Sequence, residues 1–155
     1  MELADILSEE SVLARDEVKN KAELLELLAA QAATITGQDA PVILEALTAR
    51  EDLGSTGLGN GLAIPHGKLP GLHGVVGVFV RLRQPIEFDA VDDQPVDLVF
   101  MLLAPTGAGA DHLKALARVA RLLRTDALVD GLRATDDPHR LYQLLTAPVA
   151  SRNAA

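Results

Sequence analysis

His66 is the residue of this chain whose type and surroundings most suggest chemistry. It stands between Pro65 and Gly67, near the end of a stretch, residues 50–68, that holds five of the chain's 12 glycines and one of its four histidines. Glycine permits positive φ and close backbone approach, so successive N–H groups can point into one concavity. The stretch therefore predicts an anion-binding site with a histidine at its edge, although a lone histidine in a loop can also be structural or simply exposed.

The glycine pattern matches neither of two well-known phosphate loops. Gly54 and Gly59 have the spacing of a Walker A loop, but Asn60 follows where lysine is required. Gly67 is followed by a lysine, but five residues separate Gly61 from Gly67 where a Walker A loop has four. A Rossmann fingerprint opens a helix, whereas a short apolar run and a proline follow here.

That short apolar run, residues 62–64, predicts a buried strand. Pro65 has no N–H, so we expect it to end the ladder pairing of this strand. His66 would then lie just past a strand end. Residues 68–74 are predicted as a loop, in which Lys68, Leu69 and Leu72 would either contribute to a docking face or anchor the loop in the core.

Arg50 and His112 are the two other side chains that could take part in chemistry. Arg50 falls in the last turn of a predicted helix and can reach forward over the glycine stretch. His112 opens another predicted helix after a glycine-containing loop that leaves a central strand, and α/β folds build sites at such strand ends. The N-terminus of that helix also favours anions, but an exposed first-turn histidine would fit the pattern as well.

Composition excludes several functions. The chain has no cysteine, which rules out disulfides, thiolate catalysis and cysteine-ligated zinc. It lacks His-x-x-x-His and Glu-x-x-His pairs, so we expect no metal site. A net charge of −8 without a basic stripe argues against a nucleic-acid partner. No run approaches the ~20 apolar residues of a membrane span, and the acidic N-terminus does not resemble a signal peptide, so we expect a cytoplasmic protein without membrane insertion.

Both helices and strands are predicted along the chain. Predicted helices cover residues 21–36, 40–51, 112–124, 126–132 and 138–146, and residues 3–7 predict one or two further turns. Predicted strands cover residues 11–15, 62–64, 75–83 and 96–104. Asn20, Asp39 and Asp137 are the expected helix caps. The order predicts a single-domain α/β sandwich over residues 1–155, with a core from 3 to 146 and a frayed tail after Pro148.

The buried face of the helix that starts at His112 is predicted from its leucine and alanine spacing. Its expected members are Leu113, Leu116, Ala117, Ala120 and Leu123.

Two segments resemble a known family. Residues 50–67 read Arg-Glu-x-x-Gly-Ser-Thr-Gly-x-Gly-Asn-Gly-x-Ala-Ile-Pro-His-Gly, which is similar to the signature of enzyme IIA domains of the fructose–mannitol class of the bacterial phosphotransferase system. Residues 110–117, Ala-Asp-His-Leu-x-x-Leu-Ala, resemble the second histidine region of that family. The resemblance covers roughly residues 3–146, and within the class the chain is most similar to the nitrogen-related enzyme IIA.

This resemblance implies a fold and a set of roles. The fold would be a small mixed sheet with helices on both faces. His66 would accept a phosphoryl group from the phosphohistidine of an HPr-like carrier, with His112 and Arg50 beside it, and no cofactor would be needed. Backbone amides and side chains from the glycine stretch could bind the phosphate. The expected phosphate-binding residues are Ser55, Thr56, Gly57, Gly59 and Asn60.

Three functions are compatible with these residues. The leading one is a phosphocarrier, rather than a conventional metabolic enzyme, that controls unidentified target proteins according to its phosphorylation state. The second is a sugar-specific enzyme IIA that passes phosphate to a IIB domain for fructose- or mannitol-type uptake. The third is a non-catalytic module that binds a small anion in the glycine stretch, without forming phosphohistidine.

Overall fold

A mixed β-sheet forms the middle layer of the protein. The computed structural model describes residues 2–147, so the predicted frayed tail after Pro148 lies outside the described residues. Within them the sheet has six strands: β1 (Val12–Arg15), β2 (Gly57–Gly59), β3 (Leu62–Ala63), β4 (His66–Leu69), β5 (Val76–Ile86) and β6 (Val96–Pro105). The strand order is β1-β5-β6-β3-β2, and β4 also pairs with β6. The β5–β6 and β2–β3 pairs are antiparallel, whereas β1 is parallel to β5, and β3 and β4 are parallel to β6.

The helices have the bounds α1 (Lys21–Thr36), α2 (Ala40–Asp52), α3 (Gly109–Leu122), α4 (Asp126–Arg133) and α5 (Pro138–Thr146), with short 3-10 turns at Leu3–Asp5 and Glu9–Ser11. Asn20 caps α1 through its side chain, as predicted, and Gly37 ends that helix in the left-handed conformation. Asp137 likewise caps α5. The predicted cap of α2 is wrong in one respect, because the Asp39 side chain makes no capping bond within the described residues. No helix of residues 2–147 combines the length and apolar character that crossing a membrane requires.

The sheet separates two apolar clusters. β6 supplies both, because alternate residues of a strand face opposite sides: Leu98, Phe100 and Leu102 point into one cluster, and Val99, Met101 and Leu103 into the other. Helices α1 and α2 cover the second cluster, whereas α3, α4 and α5 cover the first. The predicted α/β sandwich with helices on both faces of a mixed sheet is therefore confirmed.

His66 lies past the end of β3, as predicted, but it also begins a further strand that was not predicted. His66 is the first residue of β4, which pairs in parallel with β6, with His66 opposite Leu102. Pro65 does not prevent this pairing, because its carbonyl accepts from the N–H of Leu102 at 2.9 Å and its missing N–H is not needed. The chain therefore passes from β3 to β4 with its backbone held against β6 on both sides of the proline.

The predicted face of α3 is wrong in part: Leu123 is buried as expected, but the buried face of the helix is rotated. The helix starts at Gly109, and the residues it buries are His112, Ala115, Val119 and Leu122. Leu113 is 66% exposed, while Leu116 and Ala120 are partly buried. One residue along a helix turns the side chain by about 100°, so the small residues Ala115 and Val119 pack onto the sheet, whereas Leu113 faces outward and Leu116 packs at the edge of the cluster.

Candidate functional site

Arg50, His66 and His112 converge at one place on the surface. The Nε atom of Arg50 lies 3.3 Å from Nε2 of His66. The rings of His66 and His112 have centroids 5.5 Å apart and are tilted by 52°. The sequence predicted that these three side chains approach one another, and the structure brings them together.

Strand β6 determines where both histidines lie. It pairs with β4, which begins at His66, and it leads through a short turn into α3, whose first turn holds His112. Arg50 belongs to the last turn of α2, which covers the face of the sheet opposite to α3. Its Nη1 donates to the carbonyl of Gly54 at 2.8 Å, which holds the guanidinium over the glycine stretch.

The hydrogen bonds of His66 define which ring nitrogen is free. Nδ1 lies 2.8 Å from the carbonyl oxygen of Ile64. A carbonyl only accepts, so Nδ1 must carry the ring proton. The neutral ring then has its lone pair on Nε2, which accepts a hydrogen bond from the Arg50 Nε–H. Nε2 is therefore the ring nitrogen that could act as a nucleophile, and it faces the Arg50 guanidinium.

The surroundings keep His66 neutral. Burial lowers the pKa of His66, and the Arg50 guanidinium lowers it further, whereas the hydrogen bond to the Ile64 carbonyl and the nearby Glu51 carboxylate oppose this change. Because the net direction is downward from the ordinary value of about 6.5, the ring keeps its lone pair at neutral pH.

His112 is buried, with only 7% of its surface exposed. Its backbone N–H is bonded to the Ala108 carbonyl, and its Nδ1 is buried without a hydrogen-bond partner among residues 2–147. Burial lowers the pKa of His112, and the neighbouring His66 and Lys68 lower it further. Two neutral imidazoles therefore lie side by side.

A shallow depression of about 240 Å³ adjoins Arg50 and His66, whereas His112 is not among the described residues that line it. Its walls come from α2, the glycine stretch, β4 and α3, and they are formed by Arg50, Ser55, Thr56, Gly57, Leu58, Ile64, His66, Leu116 and Ala120. Three of the five predicted phosphate-binding residues, Ser55, Thr56 and Gly57, thus lie at this depression. It is large enough for a phosphoryl group next to Nε2 of His66.

Several donors of these three residues are engaged within the protein. The Ser55 hydroxyl donates to the Phe88 carbonyl at 3.0 Å, and the Gly57 N–H donates to Ser55 Oγ at 3.1 Å. The Thr56 hydroxyl and N–H both donate to the Glu51 carboxylate. These contacts fix the wall of the depression in place.

Gly59 and Asn60 lie elsewhere, outside the set of described residues that line the depression. They belong to the hairpin of β2 and β3, in which Asn60 and Gly61 form the turn with φ of 57° and 82°. Two positive φ values in a two-residue loop define a type I′ turn, for which Asn-Gly is a favoured sequence. The Asn60 N–H donates to the Asp92 carboxylate at 2.9 Å. This part of the glycine stretch therefore forms a hairpin next to Asp92.

The two leucines after His66 are core anchors. Leu69 is 2% exposed and Leu72 packs against the cluster beneath α1 and α2. Of the two interpretations that the sequence left open, loop anchoring therefore describes both leucines. Lys68 is exposed beside the histidines.

Glu51 is a buried charged residue that sequence reasoning did not select. Its side chain is 4% exposed and forms an ion pair with Lys21 at 2.8 Å. A signal for it was present, since Ile43, Leu47 and Glu51 are spaced by four residues and all three are buried. A carboxylate at the end of an apolar helical stripe points inward.

Comparisons with known proteins found similar sequences and structures over most of the chain. The family model described as "Phosphoenolpyruvate-dependent sugar phosphotransferase system, EIIA 2" matches residues 5–147. A nitrogen regulatory protein of Bradyrhizobium diazoefficiens is 51% identical over 151 residues, covering 97% of this chain and 99% of the relative. A nitrogen regulatory protein of Escherichia coli is 42% identical over 147 residues, covering 94% and 90%. The crystal structure of the nitrogen regulatory protein IIA-Ntr from Neisseria meningitidis superimposes with a TM-score of 0.87 at 35% identity, covering 93% of this chain and 99% of the other.

Proposed function

The chain belongs to the EIIA 2 family of the phosphoenolpyruvate-dependent sugar phosphotransferase system, and we propose that it is a regulatory phosphocarrier whose His66 accepts a phosphoryl group from an HPr-like protein. The nitrogen regulatory relatives support a regulatory role for this enzyme IIA. The phosphorylated and free forms would differ in which target proteins they bind. We place this exchange in the cytoplasm, where such a carrier would meet its donor.

The observation that carries the proposal is the orientation of His66. Its Nδ1 proton is held by the Ile64 carbonyl, and its Nε2 lone pair is presented to the depression beside Arg50. A nucleophilic nitrogen fixed next to a cation is what acceptance of an anionic phosphoryl group requires.

The transfer step follows from this arrangement. Nε2 of His66 attacks the phosphorus of the donor's phosphohistidine, and a new P–N bond forms as the donor's P–N bond breaks. The electron pair of the broken bond returns to the donor's ring nitrogen, and because the other nitrogen of the donor ring carries a proton throughout, the donor leaves as a neutral imidazole. The proton on His66 Nδ1 remains in place, and the Ile64 carbonyl stabilises the positive charge that the phosphorylated ring acquires.

Arg50 and His112 would stabilise the transferring group. Arg50 exchanges its hydrogen bond to Nε2 for bonds to the phosphoryl oxygens, which its planar guanidinium suits. His112, whose ring lies beside that of His66, can donate a hydrogen bond to another oxygen of the phosphoryl group. Ser55, Thr56 and Gly57 form the wall against which the group is held. These groups supply positive charge and donors, so the proposed step needs no cofactor.

Regulation would follow from the charge that phosphorylation adds. A phosphoryl group contributes about −1.5 to −2 charge at neutral pH. Leu58 and Leu113 are exposed apolar side chains, one on the wall of the depression and the other next to His112. A partner that covers these apolar side chains would have to bury the new charge, so phosphorylation can change which partner docks.

The proposal is tested by phosphoryl transfer. The protein is incubated with enzyme I, an HPr-type carrier and phosphoenolpyruvate, and its intact mass is followed beside His66→Ala and His112→Ala. We expect one added, acid-labile phosphate that is absent in His66→Ala and slow to appear in His112→Ala. Absence of the added mass with both the sugar-type and the nitrogen-type carrier would contradict the proposal and leave the anion-binding module.

A second arm separates the regulatory role from sugar uptake. The purified phosphorylated protein is mixed with a sugar-system IIB domain, and the loss of its phosphate is measured. The regulatory proposal predicts that the phosphate stays on His66. Rapid transfer to the IIB domain would instead favour the sugar-specific enzyme IIA.

A further inference from the structure

The buried carboxylate of Glu51 lies between the proposed site and a second group of interacting residues. Glu51 follows Arg50 in α2, and its carboxylate accepts from the hydroxyl and the N–H of Thr56, a residue of the depression wall. The same carboxylate pairs with Lys21 at 2.8 Å, at the start of α1. One side chain therefore joins α1, the end of α2 and the wall beside His66.

Lys21 extends this connection to the other side of the wall. Its Nζ donates to the Phe88 carbonyl at 3.3 Å and lies 4.4 Å above the centre of the Phe88 ring. The Ser55 hydroxyl donates to the same Phe88 carbonyl. Ser55 and Thr56, adjacent in the wall, are thus each tied to the Lys21–Glu51 pair, Thr56 directly and Ser55 through a shared acceptor.

A contribution to stability does not by itself explain why Lys21 and Glu51 form a largely buried ion pair. Removing a carboxylate and an ammonium from water costs free energy that their attraction only partly returns, and well-packed apolar side chains at such places are often as stabilising. What a buried carboxylate with three donors provides is fixed geometry. Here the groups it fixes are the wall of the depression and the end of the helix that carries Arg50.

We infer that Glu51 is a positioning residue for phosphoryl transfer. It holds Thr56 against the end of α2, so that the wall of the depression and Arg50 keep fixed positions relative to His66. It also places a negative charge, neutralised by Lys21, beneath the site. This inference rests on the proposed function. It assigns Lys21 the role of neutralising the Glu51 carboxylate. The charge of Glu51 also opposes the decrease in the pKa of His66 that burial and Arg50 produce.

Two substitutions separate the reach of Glu51 from its charge. Glu51→Gln keeps the length of the side chain and loses the charge, whereas Glu51→Asp keeps the charge and is one methylene too short to hold Thr56 in the same place. Asp52→Asn is the matched control, because it removes the same charge from an exposed residue at the same helix end. Melting curves give the folded fraction of each variant, and all rates are expressed per folded molecule.

The kinetic test is the phosphorylation rate as a function of carrier concentration. We expect Glu51→Asp to lower the rate at saturating carrier by about tenfold or more, since small displacements of positioning groups have large effects on rate. The half-saturating carrier concentration should change less than twofold, because Glu51 lies beneath the surface. Asp52→Asn should retain both values.

A double variant tests whether Glu51 acts through Thr56. In a Thr56→Val background, which lacks the hydroxyl that Glu51 holds, Glu51→Asp should produce little further loss of rate. Independent, multiplicative effects of the two substitutions would overturn the positioning role.

A measurement without phosphate keeps this inference separate from the proposed function. The C2 proton of His66 is titrated by NMR, assigned with His66→Gln, and Glu51→Gln should lower the pKa of His66 relative to Asp52→Asn. If the wild type takes no phosphate, the proposed function fails and this titration still tests the link between Glu51 and His66. If the wild type is phosphorylated but both Glu51 variants match Asp52→Asn in rate and titration, the inference fails and the proposed function stands.

Discussion

At the scale of single residues, one backbone contact determines which ring nitrogen of His66 is free. The Ile64 carbonyl lies two residues before the histidine and accepts from its Nδ1. The free lone pair is thereby assigned to Nε2, which points at Arg50. The sequence indicated a reactive histidine from its glycine-rich surroundings. It could not indicate which ring nitrogen keeps the lone pair, because that depends on how residues 64–66 run along β6 and so bring the Ile64 carbonyl to Nδ1.

Arg50 is the residue at which a conservative change should be most informative. Arg50→Lys keeps the positive charge but loses the planar group that contacts both Nε2 of His66 and the Gly54 carbonyl. We expect phosphorylation of His66 to slow by roughly ten- to a hundredfold. The measurement is the rate of phosphate incorporation by intact mass, with Arg124→Lys, on an exposed residue, as the control. An Arg50→Lys rate equal to that of Arg124→Lys would show that charge alone is sufficient.

The two histidines also predict a pH dependence of stability. Burial lowers the pKa of both His66 and His112 below the value of about 6.5 expected in the unfolded chain. Between the lowered values and 6.5 the unfolded chain binds more protons, so the free energy of unfolding rises with pH in that window. Stability should therefore decrease as the pH falls through 6.5, and this loss is complete below the lowered pKa values.

Urea unfolding at pH 7.5 and at pH 5.5 checks this expectation. His66→Gln and His112→Gln should each lose less stability between the two pH values than the wild type, because each removes one ring that resists protonation. His73→Gln, at an exposed loop residue, should keep the wild-type difference. The account is refuted if all three variants lose the same stability as the wild type.

At the scale of elements, prediction succeeded where the signal is local. The apolar run of β6 and the caps of α1 and α5 lie within a few residues of the structure they specify. Strands β2 and β4 were missed because they are short and contain glycine, and because β4 follows a proline and pairs with β6, which is distant in sequence. The face of α3 was misassigned because leucines were counted as core, whereas the sheet accepts the smaller Ala115 and Val119.

The hairpin of β2 and β3 provides an element-scale prediction. Gly61 has φ of +82°, and an added Cβ would lie 2.5 Å from Arg133 Nη2 and 2.8 Å from Asp97 Oδ1. These two atoms belong to an ion pair, and the same Arg133 nitrogen donates to the Asn60 carbonyl. Gly61→Ala should therefore strain the turn and displace this pair, which lowers the free energy of unfolding by about 1–3 kcal/mol.

Equilibrium urea unfolding measures this effect, and Gly107→Ala is the control. Gly107 has no other heavy atom of residues 2–147 within 4 Å of an added Cβ, apart from its chain neighbours, and it has no positive φ. Its substitution should change stability by less than about 0.5 kcal/mol. Equal effects of the two substitutions would mean that the hairpin tolerates a side chain at Gly61 and that the Arg133 contacts are dispensable.

At the scale of the whole molecule, the candidate site depends on both layers of the sandwich. Arg50 belongs to α2, which covers one face of the sheet, and His112 belongs to α3, which covers the other. His66 lies on β4 between them. The net charge of −8 argues against nucleic acid as a partner, and it makes Arg50 and Lys68, next to the histidines, an important local source of positive charge.

A site shared by two layers should be lost only when the whole molecule unfolds. Leu28 and Leu132 are fully buried on opposite faces of the sheet, and each substitution by alanine should lower the free energy of unfolding by about 2–5 kcal/mol. Urea unfolding followed by circular dichroism and by the NMR signal of the His66 C2 proton should give coincident transitions in both variants, because neither layer completes the site alone. If Leu28→Ala or Leu132→Ala separated the two transitions, one layer would be able to unfold while the other persists, and the site would then depend on the stability of its weaker half.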